Sequence, residues 1–216
     1  MSDASPLLLV ATRNAGKLAE LSPMIAAAGF TPLSLDAAGV AYRPDEASIE
    51  TFATFEENAL VKARYYLGRA AGAGQTCAVL ADDSGLVVDA LDGQPGVRSK
   101  RWGGVDALSG AALEASNNTR LLMALEGVRD RRARFVCVAA IAWEGGTIAA
   151  RGETEGVILD APRGVHGFGY DPLFLSDDLG VTLAEATMLE KSGVSHRARA
   201  MARALVAFRA RQWPLT

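Results

Sequence analysis

Short apolar segments alternate with helical patterns along this chain, and one long hairpin interrupts the alternation. Segment Leu7–Ala11 has the composition of a short buried strand. The turn after it opens a predicted helix with Leu18, Leu21 and Ile25 on one side, although Pro23 inside it would cost a hydrogen bond. A strand followed by a helix is the repeating unit of α/β folds.

The same succession continues downstream. Between Phe52 and Ala70 apolar residues recur at helical spacing, and this predicted helix leads into the apolar strand Cys77–Leu80. The recurring positions are Phe52, Phe55, Ala59, Ala63, Tyr66 and Leu67. Further helices are predicted over Ser109–Leu125 and Ser195–Arg211.

The hairpin makes part of the sheet antiparallel. Arg134–Trp143 is predicted as a long strand, Glu144–Gly146 as a turn, and Thr147–Glu153 as the returning strand. Loops are predicted over Gln94–Gly104 and Ala161–Gly169. Together these patterns predict an α/β fold with a mixed sheet.

Length and charge limit the kinds of function. With 216 residues, half of them apolar, the chain can bury one sizeable core, and we expect one domain over residues 1–216. The net charge of −3 argues against general nucleic-acid binding, because no basic excess is present to neutralise a run of phosphates. Any phosphate recognition must therefore be local.

The cysteines and the first residues bear on the compartment. Cys77 and Cys137 both lie in apolar segments, which favours two buried reduced thiols over a disulfide or a metal site. The start Met1–Pro6 has no signal-peptide pattern, and no apolar run approaches the length of a membrane span. We expect a cytoplasmic protein with no membrane partner.

Two adjacent carboxylates, Asp82 and Asp83, follow the strand Cys77–Leu80 and precede Ser84 and Gly85. Carboxylates and a hydroxyl at the end of a strand could hold a divalent cation against a phosphate. The same composition is typical of an ordinary turn. Both interpretations are open on this segment alone.

The first predicted strand-to-helix turn is a candidate anion site. Its residues are Thr12, Arg13, Asn14, Ala15, Gly16 and Lys17. Backbone N–H groups at a helix start and the Lys17 ammonium could converge there on a phosphate, although the spacing is not that of a Walker A motif. Alternatively, Asn14 caps the helix and Lys17 is solvated.

Three further residues of the first half are less distinctive. Asn58 and Lys62 share a face of the second predicted helix, where a solvated position is the default. Glu50 is one of several acidic residues in its stretch, so composition does not select it.

Two segments in the second half of the chain could bind a nucleotide base. Phe168–Asp171 offers an aromatic ring beside a glycine for stacking, or a turn with two core aromatics. Further on, Ser195 is a candidate N-cap, and His196 and Arg197 would fall in the first helical turn. Positive charge there opposes the helix dipole, which suggests an anionic or hydrogen-bonding ligand, unless both are surface residues.

Taken in order, these segments resemble the inosine triphosphate pyrophosphatase family over nearly the whole chain. The matching segments are Thr12–Lys17, Phe55–Arg64, Ala81–Leu86, Pro95–Gly96, Gly167–Pro172, and Lys191 with Ser195–Arg197. The resemblance implies hydrolysis of dITP, ITP and XTP to the monophosphate and pyrophosphate with Mg²⁺, by a homodimer. It also implies an elongated central mixed β-sheet flanked by helices, with a smaller second lobe and an active-site cleft between them.

The resemblance also assigns roles. Asp83 would be the catalytic base, and Glu50, Asp83 and Asp82 the metal-binding residues. Substrate-binding residues would be Thr12, Arg13, Asn14, Ala15, Gly16, Lys17, Ser84, Phe168, Gly169, Tyr170, Asp171, Lys191, His196 and Arg197. Asn58 and Lys62 are candidates for phosphate support. His166 stands where many relatives have glycine.

Two other functions fit part of the pattern. A nucleotide-binding regulator would keep the pocket without turnover, but it would not need Glu50, Asp82, Asp83 and Lys17 together. A related pyrophosphatase could act on pyrimidine or modified nucleotides. By resemblance, Phe168–Asp171 and Ser195–Arg197 favour a purine.

Overall fold

The computed structural model describes residues 5–104 and 108–211. Its strands are β1 (Leu7–Val10), β2 (Thr31–Ser34), β3 (Ala78–Val88), β4 (Arg132–Trp143), β5 (Gly146–Ile158) and β6 (Phe174–Ser176). Its α-helices are α1 (Ala15–Ala27), α2 (Phe55–Gly72), α3 (Gly110–Ala124), α4 (Met188–Val194) and α5 (His196–Arg209). Short 3-10 helices cover Pro44–Ser48, Asp89–Leu91 and Gly96–Arg101.

Within the described residues the strands form a six-stranded sheet in the order β2-β1-β3-β4-β5-β6. Strand β1 pairs in parallel with both β2 and β3, whereas β5 and β6 are antiparallel. The sheet is therefore mixed, and the predicted α/β class is confirmed. The elongated shape and the cleft between lobes stay predictions.

The chain divides into two compact units. The first comprises Met1–Asp83, Cys137–Gly152 and Arg197–Thr216, and the second comprises Ser84–Val136 and Glu153–His196. Each unit has an apolar core of its own. That of the first includes Leu8, Ile25 and Phe208, and that of the second includes Leu86, Leu121 and Phe174. The organisation as one domain stays a prediction.

Local chemistry explains several element boundaries. Helix α1 continues through Pro23 because that residue is exposed, so water can reach the Ala19 carbonyl that loses its helical partner. Helix α2 begins at Phe55, not Phe52, because the Thr54 side chain accepts from the Glu57 N–H as an N-cap. The short elements β2, β6 and α4 were not predicted, since each lacks a long periodic pattern.

The turn that was one interpretation of Asp82–Gly85 is absent, and β3 runs without interruption from Ala78 to Val88. Successive side chains of a strand point to opposite faces of the sheet. Asp82 is accordingly buried on one face, while Asp83 is partly buried on the other. The turn interpretation of these carboxylates is therefore wrong.

The expectation for the cysteines is confirmed. Cys77 and Cys137 are free and buried, as predicted. None of the helices in residues 5–104 and 108–211 combines the length and apolar character that crossing a bilayer requires. The N-terminal expectation concerns Met1–Pro6, of which residues 1–4 lie outside the described part.

Candidate active site

The loop between β1 and α1 caps the helix and presents N–H groups at its start. Asn14 caps α1, because its side chain accepts from the Lys17 N–H at 3.1 Å, and the Thr12 hydroxyl accepts from the Asn14 N–H at 3.1 Å. Ala15 and Gly16 are exposed and begin the helix, so their N–H groups lie at its positive end. An anion could therefore approach this loop.

The alternative interpretation, that the Lys17 ammonium is solvated, is wrong. Its Nζ donates to Asp82 Oδ2 at 2.8 Å, and the Asp82 side chain is 1% exposed. Arg197 Nε donates to the same oxygen at 3.3 Å. Burial alone would raise the pKa of Asp82, but the charges of Lys17 and Arg197 hold it far below its ordinary value. Asp82 is thus an ionised carboxylate between two cations.

Arg197 lies in the first turn of α5, as predicted, but it is not a surface residue. It is buried, and its Nη1 donates to Glu20 at 2.6 Å in addition to the bond to Asp82. Burial lowers the pKa of a guanidinium, but the carboxylates of Asp82 and Glu20 outweigh that effect and raise it. The guanidinium links α1 to β3 within the first unit.

Asp83 contacts a different set of residues. Its Oδ2 accepts from Asn58 Nδ2 at 2.9 Å, and Asn58 is also fixed by its Oδ1, which accepts from the Phe52 N–H at 2.9 Å. Burial raises the pKa of Asp83 to about 6, helped by the charge of Glu50 and opposed by the Asn58 hydrogen bond. A carboxylate with that pKa can take up a proton near neutral pH.

The solvated positions expected for Asn58 and Lys62 are wrong. Asn58 is 1% exposed, and the Lys62 ammonium donates to Glu50 Oε1 at 2.6 Å and to the Asp82 carbonyl at 3.3 Å. Burial lowers the pKa of Lys62, but the charges of Glu50 and Asp82 outweigh it and raise the pKa. Both side chains therefore reach from α2 to β3, where Asn58 contacts Asp83 and Lys62 contacts the Asp82 carbonyl.

Two of the three predicted metal-binding residues fit a hard divalent cation. Among the described residues, no group of three or more His, Cys, Asp or Glu side chains is already gathered around a metal position. However, the charge of Glu50 repels that of Asp83 and adds to the burial that raises the pKa of Asp83. A divalent cation would relieve that repulsion through oxygen ligands. The charge of Asp82 is already balanced by Lys17 and Arg197, which suits a supporting position.

The loop Gly167–Asp171 of the second unit presents one aromatic ring and buries the other. Phe168 is 38% exposed, whereas Tyr170 is 4% exposed and its hydroxyl donates to the Ser99 carbonyl at 2.9 Å. The Gly169 carbonyl accepts from Asn118 Nδ2 at 3.0 Å. Phe168 therefore suits stacking against a base, and Tyr170 is the core aromatic of the alternative interpretation.

An ion pair closes this loop. Asp171 Oδ2 accepts from Lys191 Nζ at 3.1 Å and from the Phe168 N–H at 3.3 Å. Gly167 has a φ of +80°, and a Cβ there would collide with the Asp171 carboxylate and lie 2.8 Å from Lys191 Nζ. The glycine is thus required both by its backbone conformation and by the ion pair.

His196, the first residue of α5, is buried in the second unit. Its ring stacks on Phe135 with centroids 4.8 Å apart and planes 14° from parallel. The alternative that it is a surface residue is wrong. Ser84, the first residue of the second unit, is partly buried on β3.

Sequence reasoning missed the residues that hold these segments in place. Ser99 and Asn118 fix the Gly167–Asp171 loop, Glu20 partners Arg197, and Glu46 partners Arg13. No local signal distinguishes them, because each is a common polar residue whose partner lies far away in the sequence.

An α/β sheet with a helix N-terminus after its first strand and two adjacent carboxylates on β3 is an arrangement suited to phosphate compounds. The Ham1 family matches residues 8–207, and the chain belongs to that family. It is 48% identical over 200 residues to the dITP/XTP pyrophosphatase of Geobacter sulfurreducens, covering 90% of this chain and 92% of that one. It is 47% identical over 206 residues to the dITP/XTP pyrophosphatase of Nocardia farcinica, covering 94% and 95%.

Solved structures agree with this family. A HAM1 protein from Coxiella burnetii superposes with a TM-score of 0.78 at 32% identity, covering 95% of this chain and 99% of that one. A nucleoside-triphosphatase, dITP/XTP pyrophosphatase, from Mycobacterium abscessus superposes with a TM-score of 0.68 at 40% identity, covering 91% and 97%. The predicted family resemblance is confirmed.

Proposed function

We infer that this chain hydrolyses deaminated purine nucleoside triphosphates, namely dITP, ITP and XTP, to the monophosphate and pyrophosphate. Such an activity removes these nucleotides from the pool before they enter DNA or RNA. The relatives named dITP/XTP pyrophosphatase support the substrate class. The main structural support for the chemistry is that β3 presents Asp82 to Lys17 on one face and Asp83 to Asn58 on the other.

The cations of the first unit would bind the phosphates. Lys17 and the first N–H groups of α1 lie at the exposed loop Thr12–Lys17, and Lys62 lies beside Glu50 and the Asp82 carbonyl. A triphosphate carries enough negative charge to compete for ammonium groups that now face carboxylates. In this proposal Asp82 and Glu50 keep the two lysines in place until substrate arrives.

Glu50 and Asp83 would hold Mg²⁺, with Asp82 in support. When bound, the ion neutralises charge on the triphosphate oxygens. Asp83 would take the proton from the attacking water as the general base. The water oxygen bonds to the α-phosphorus while the bond to the bridging oxygen breaks, and pyrophosphate departs in line. Asn58 orients the Asp83 carboxylate through the 2.9 Å hydrogen bond.

The second unit would read the base. Phe168 offers an exposed ring for stacking, and the Asp171–Lys191 pair fixes the loop behind it. Hypoxanthine and xanthine carry a six-oxo acceptor where adenine has an amino donor. Fixed donors leave buried groups unpaired when adenine enters, and such mismatches discriminate by about 10⁴. His196, and Arg197 of the first unit, remain proposed contributors.

A substrate panel tests the function. The protein is incubated with ITP, XTP, dATP and dGTP, with and without Mg²⁺, and pyrophosphate is measured separately from orthophosphate. We expect pyrophosphate from ITP and XTP in the presence of Mg²⁺. Equal rates on all four nucleotides would contradict a selective pocket, and orthophosphate as first product would contradict cleavage at the α-phosphorus. Binding of ITP without release of pyrophosphate would indicate a regulator instead.

Three other properties belong to the same proposal. We propose a homodimer, as the resemblance implies, and light scattering after size-exclusion chromatography measures its mass. The organisation of residues 1–216 as a single domain is also proposed. A cytoplasmic location is supported by the two buried free thiols.

A further inference from the structure

Arg13 lies inside the predicted substrate loop, yet its guanidinium is bound to other parts of the protein. Its Nε and Nη2 donate to the two carboxylate oxygens of Glu46 at 3.1 and 2.9 Å. Nη2 also donates to the Val40 carbonyl at 3.0 Å, and Nη1 donates to Asp36 at 3.3 Å. This fork-on-carboxylate geometry is the most directional ion pair available to proteins.

The Glu46 carboxylate is the shared partner in these contacts. Its side chain is 7% exposed, although it stands in an otherwise exposed acidic stretch. Besides Arg13, it accepts from the Tyr66 hydroxyl at 2.7 Å and lies 3.6 Å from Arg69. Burial raises the pKa of Glu46, but the hydrogen bonds from Arg13 and Tyr66 outweigh it and lower the pKa. The carboxylate is therefore held ionised by residues of the loop and of α2.

The position of Glu46 in the chain shows which two segments this ion pair connects. Glu46 lies on the 3-10 helix Pro44–Ser48, and Glu50 follows two residues after that helix ends. Arg13 lies between Thr12 and Asn14, the two residues that shape the start of α1. One ion pair thus joins the loop that would bind phosphate to the segment that would hold the metal.

We propose that Arg13 and Glu46 are a positioning pair, which fixes the Thr12–Lys17 loop relative to Glu50 and does not itself touch substrate. The proposal rests on the proposed function for the identity of the ligand. It replaces the predicted role of Arg13 as a substrate-binding residue. For Arg13 to reach a phosphate, it would have to leave a bidentate partner and deprive a buried carboxylate of its main cation.

The two roles of Arg13 predict opposite effects at Glu46. If the pair positions the loop, Glu46→Gln weakens phosphate binding as Arg13→Ala does, and the double variant is no worse than either single one. If Arg13 binds phosphate directly, Glu46→Gln releases the guanidinium and removes a nearby negative charge. Anion binding would then be unchanged or tighter.

The experiment uses the full chain and two readouts. Binding of inorganic pyrophosphate to the metal-free protein is measured by calorimetry, and kcat and KM are measured with ITP and Mg²⁺. We expect both single variants to weaken pyrophosphate binding and raise the KM roughly 10-fold to 100-fold, the range lost when a binding group is misplaced by about 1 Å. Turnover at saturation should fall less than about 3-fold, since Asp83 and Asn58 are untouched.

Arg13→Lys and Arg43→Ala serve as companions. Lysine keeps the charge but not the fork, so it should restore folding and only part of the affinity. Arg43 immediately precedes the same 3-10 helix, and its side chain forms an exposed pair with Asp45 at 3.4 Å. Its N–H donates to Glu46 Oε1 at 3.2 Å, but alanine keeps that bond, so removal of the side chain should change neither readout.

Each outcome supports or contradicts the positioning role of the Arg13–Glu46 pair. Equal losses in both single variants and in the double variant support the positioning pair. Unchanged or tighter pyrophosphate binding by Glu46→Gln, or unchanged binding by folded Arg13→Lys and Arg13→Ala, overturns it. If the unmodified protein releases no pyrophosphate from ITP, the proposed function fails, while the calorimetric comparison still judges the pair.

Discussion

Replacing Asp82 with asparagine is expected to destabilise the first unit strongly. Asn has nearly the same shape but no charge, so Lys17 and Arg197 lose the carboxylate that they share at 2.8 and 3.3 Å. Removing one partner of a buried ion pair costs about 3–5 kcal/mol, because a buried charge is left uncompensated. The substitution isolates this effect because it creates no cavity.

Two features of the structure reduce the expected loss. Arg197 keeps its second carboxylate partner, Glu20, at 2.6 Å. The Lys17 side chain is 17% exposed, so water can reach part of it. We therefore expect the free energy of unfolding at pH 7 to fall by about 2–4 kcal/mol.

The effect has a definite pH dependence. The pKa of Asp82 is held far below its ordinary value in the folded protein, while it is about 3.9 in the unfolded chain. Its charge therefore stabilises fully above about pH 3.9, and this contribution is lost as the pH falls through the lowered folded pKa. The difference between the two proteins should stay constant from pH 7 to about pH 4 and narrow in more acidic solution.

Urea unfolding followed by circular dichroism measures these differences. Asp130→Asn is a matched control, because Asp130 pairs with Arg132 at 2.6 Å but both side chains are more than half exposed. The control should change the free energy of unfolding little, because solvent screens an exposed ion pair. A loss for Asp82→Asn no larger than that of the control, or a difference that grows below pH 4, would refute this account of the buried network.

Three further predictions concern activity. The variant Asp83→Asn should fold normally, and its turnover should fall by roughly two to four orders of magnitude, which is the contribution of a general base or a charge stabiliser. Near-normal turnover in a steady-state assay would show that Asp83 does not have that role. Phe168→Ala should raise the KM for ITP with little change in thermal stability, because the ring is exposed. Tyr170→Phe should lower the free energy of unfolding by about 1 kcal/mol, because it removes the hydrogen bond to the Ser99 carbonyl. The reverse pattern would exclude Phe168 as the stacking residue. Chelation of divalent cations should abolish pyrophosphate release, and restoration by Mg²⁺ but not Na⁺ would distinguish a specific requirement from ionic strength.

The secondary structure of this chain was largely predictable because it depends on local pattern. The Phe52–Ala70 periodicity corresponds to α2, and the Ser109–Leu125 periodicity corresponds to α3 within a residue at each end. The long hairpin is present as β4 and β5, although β5 continues to Ile158. Polar residues such as Thr154 end the apolar pattern there, yet Thr154 is buried because its hydroxyl donates to the Val194 carbonyl at 2.8 Å.

The candidate site was predictable as a set of residues but not as an arrangement. The spacing of the matched segments identified Lys17, Asp82, Asp83 and Arg197 as members. It did not show that Lys17 and Arg197 meet at one oxygen of Asp82, across 65 and 115 residues of sequence.

The sequence by itself determined the α/β class, the family and the candidate residues, since helical and strand periodicity and motif spacing are properties of neighbouring residues. Only the tertiary structure decided that Asp82 and Asp83 lie on opposite faces of one strand, and that Asn58 and Lys62 contact them from α2. It also decided that Arg13 faces Glu46. The reason is physical: a buried charge is stable only beside its counter-charge, and that partner is chosen by the packing of distant segments.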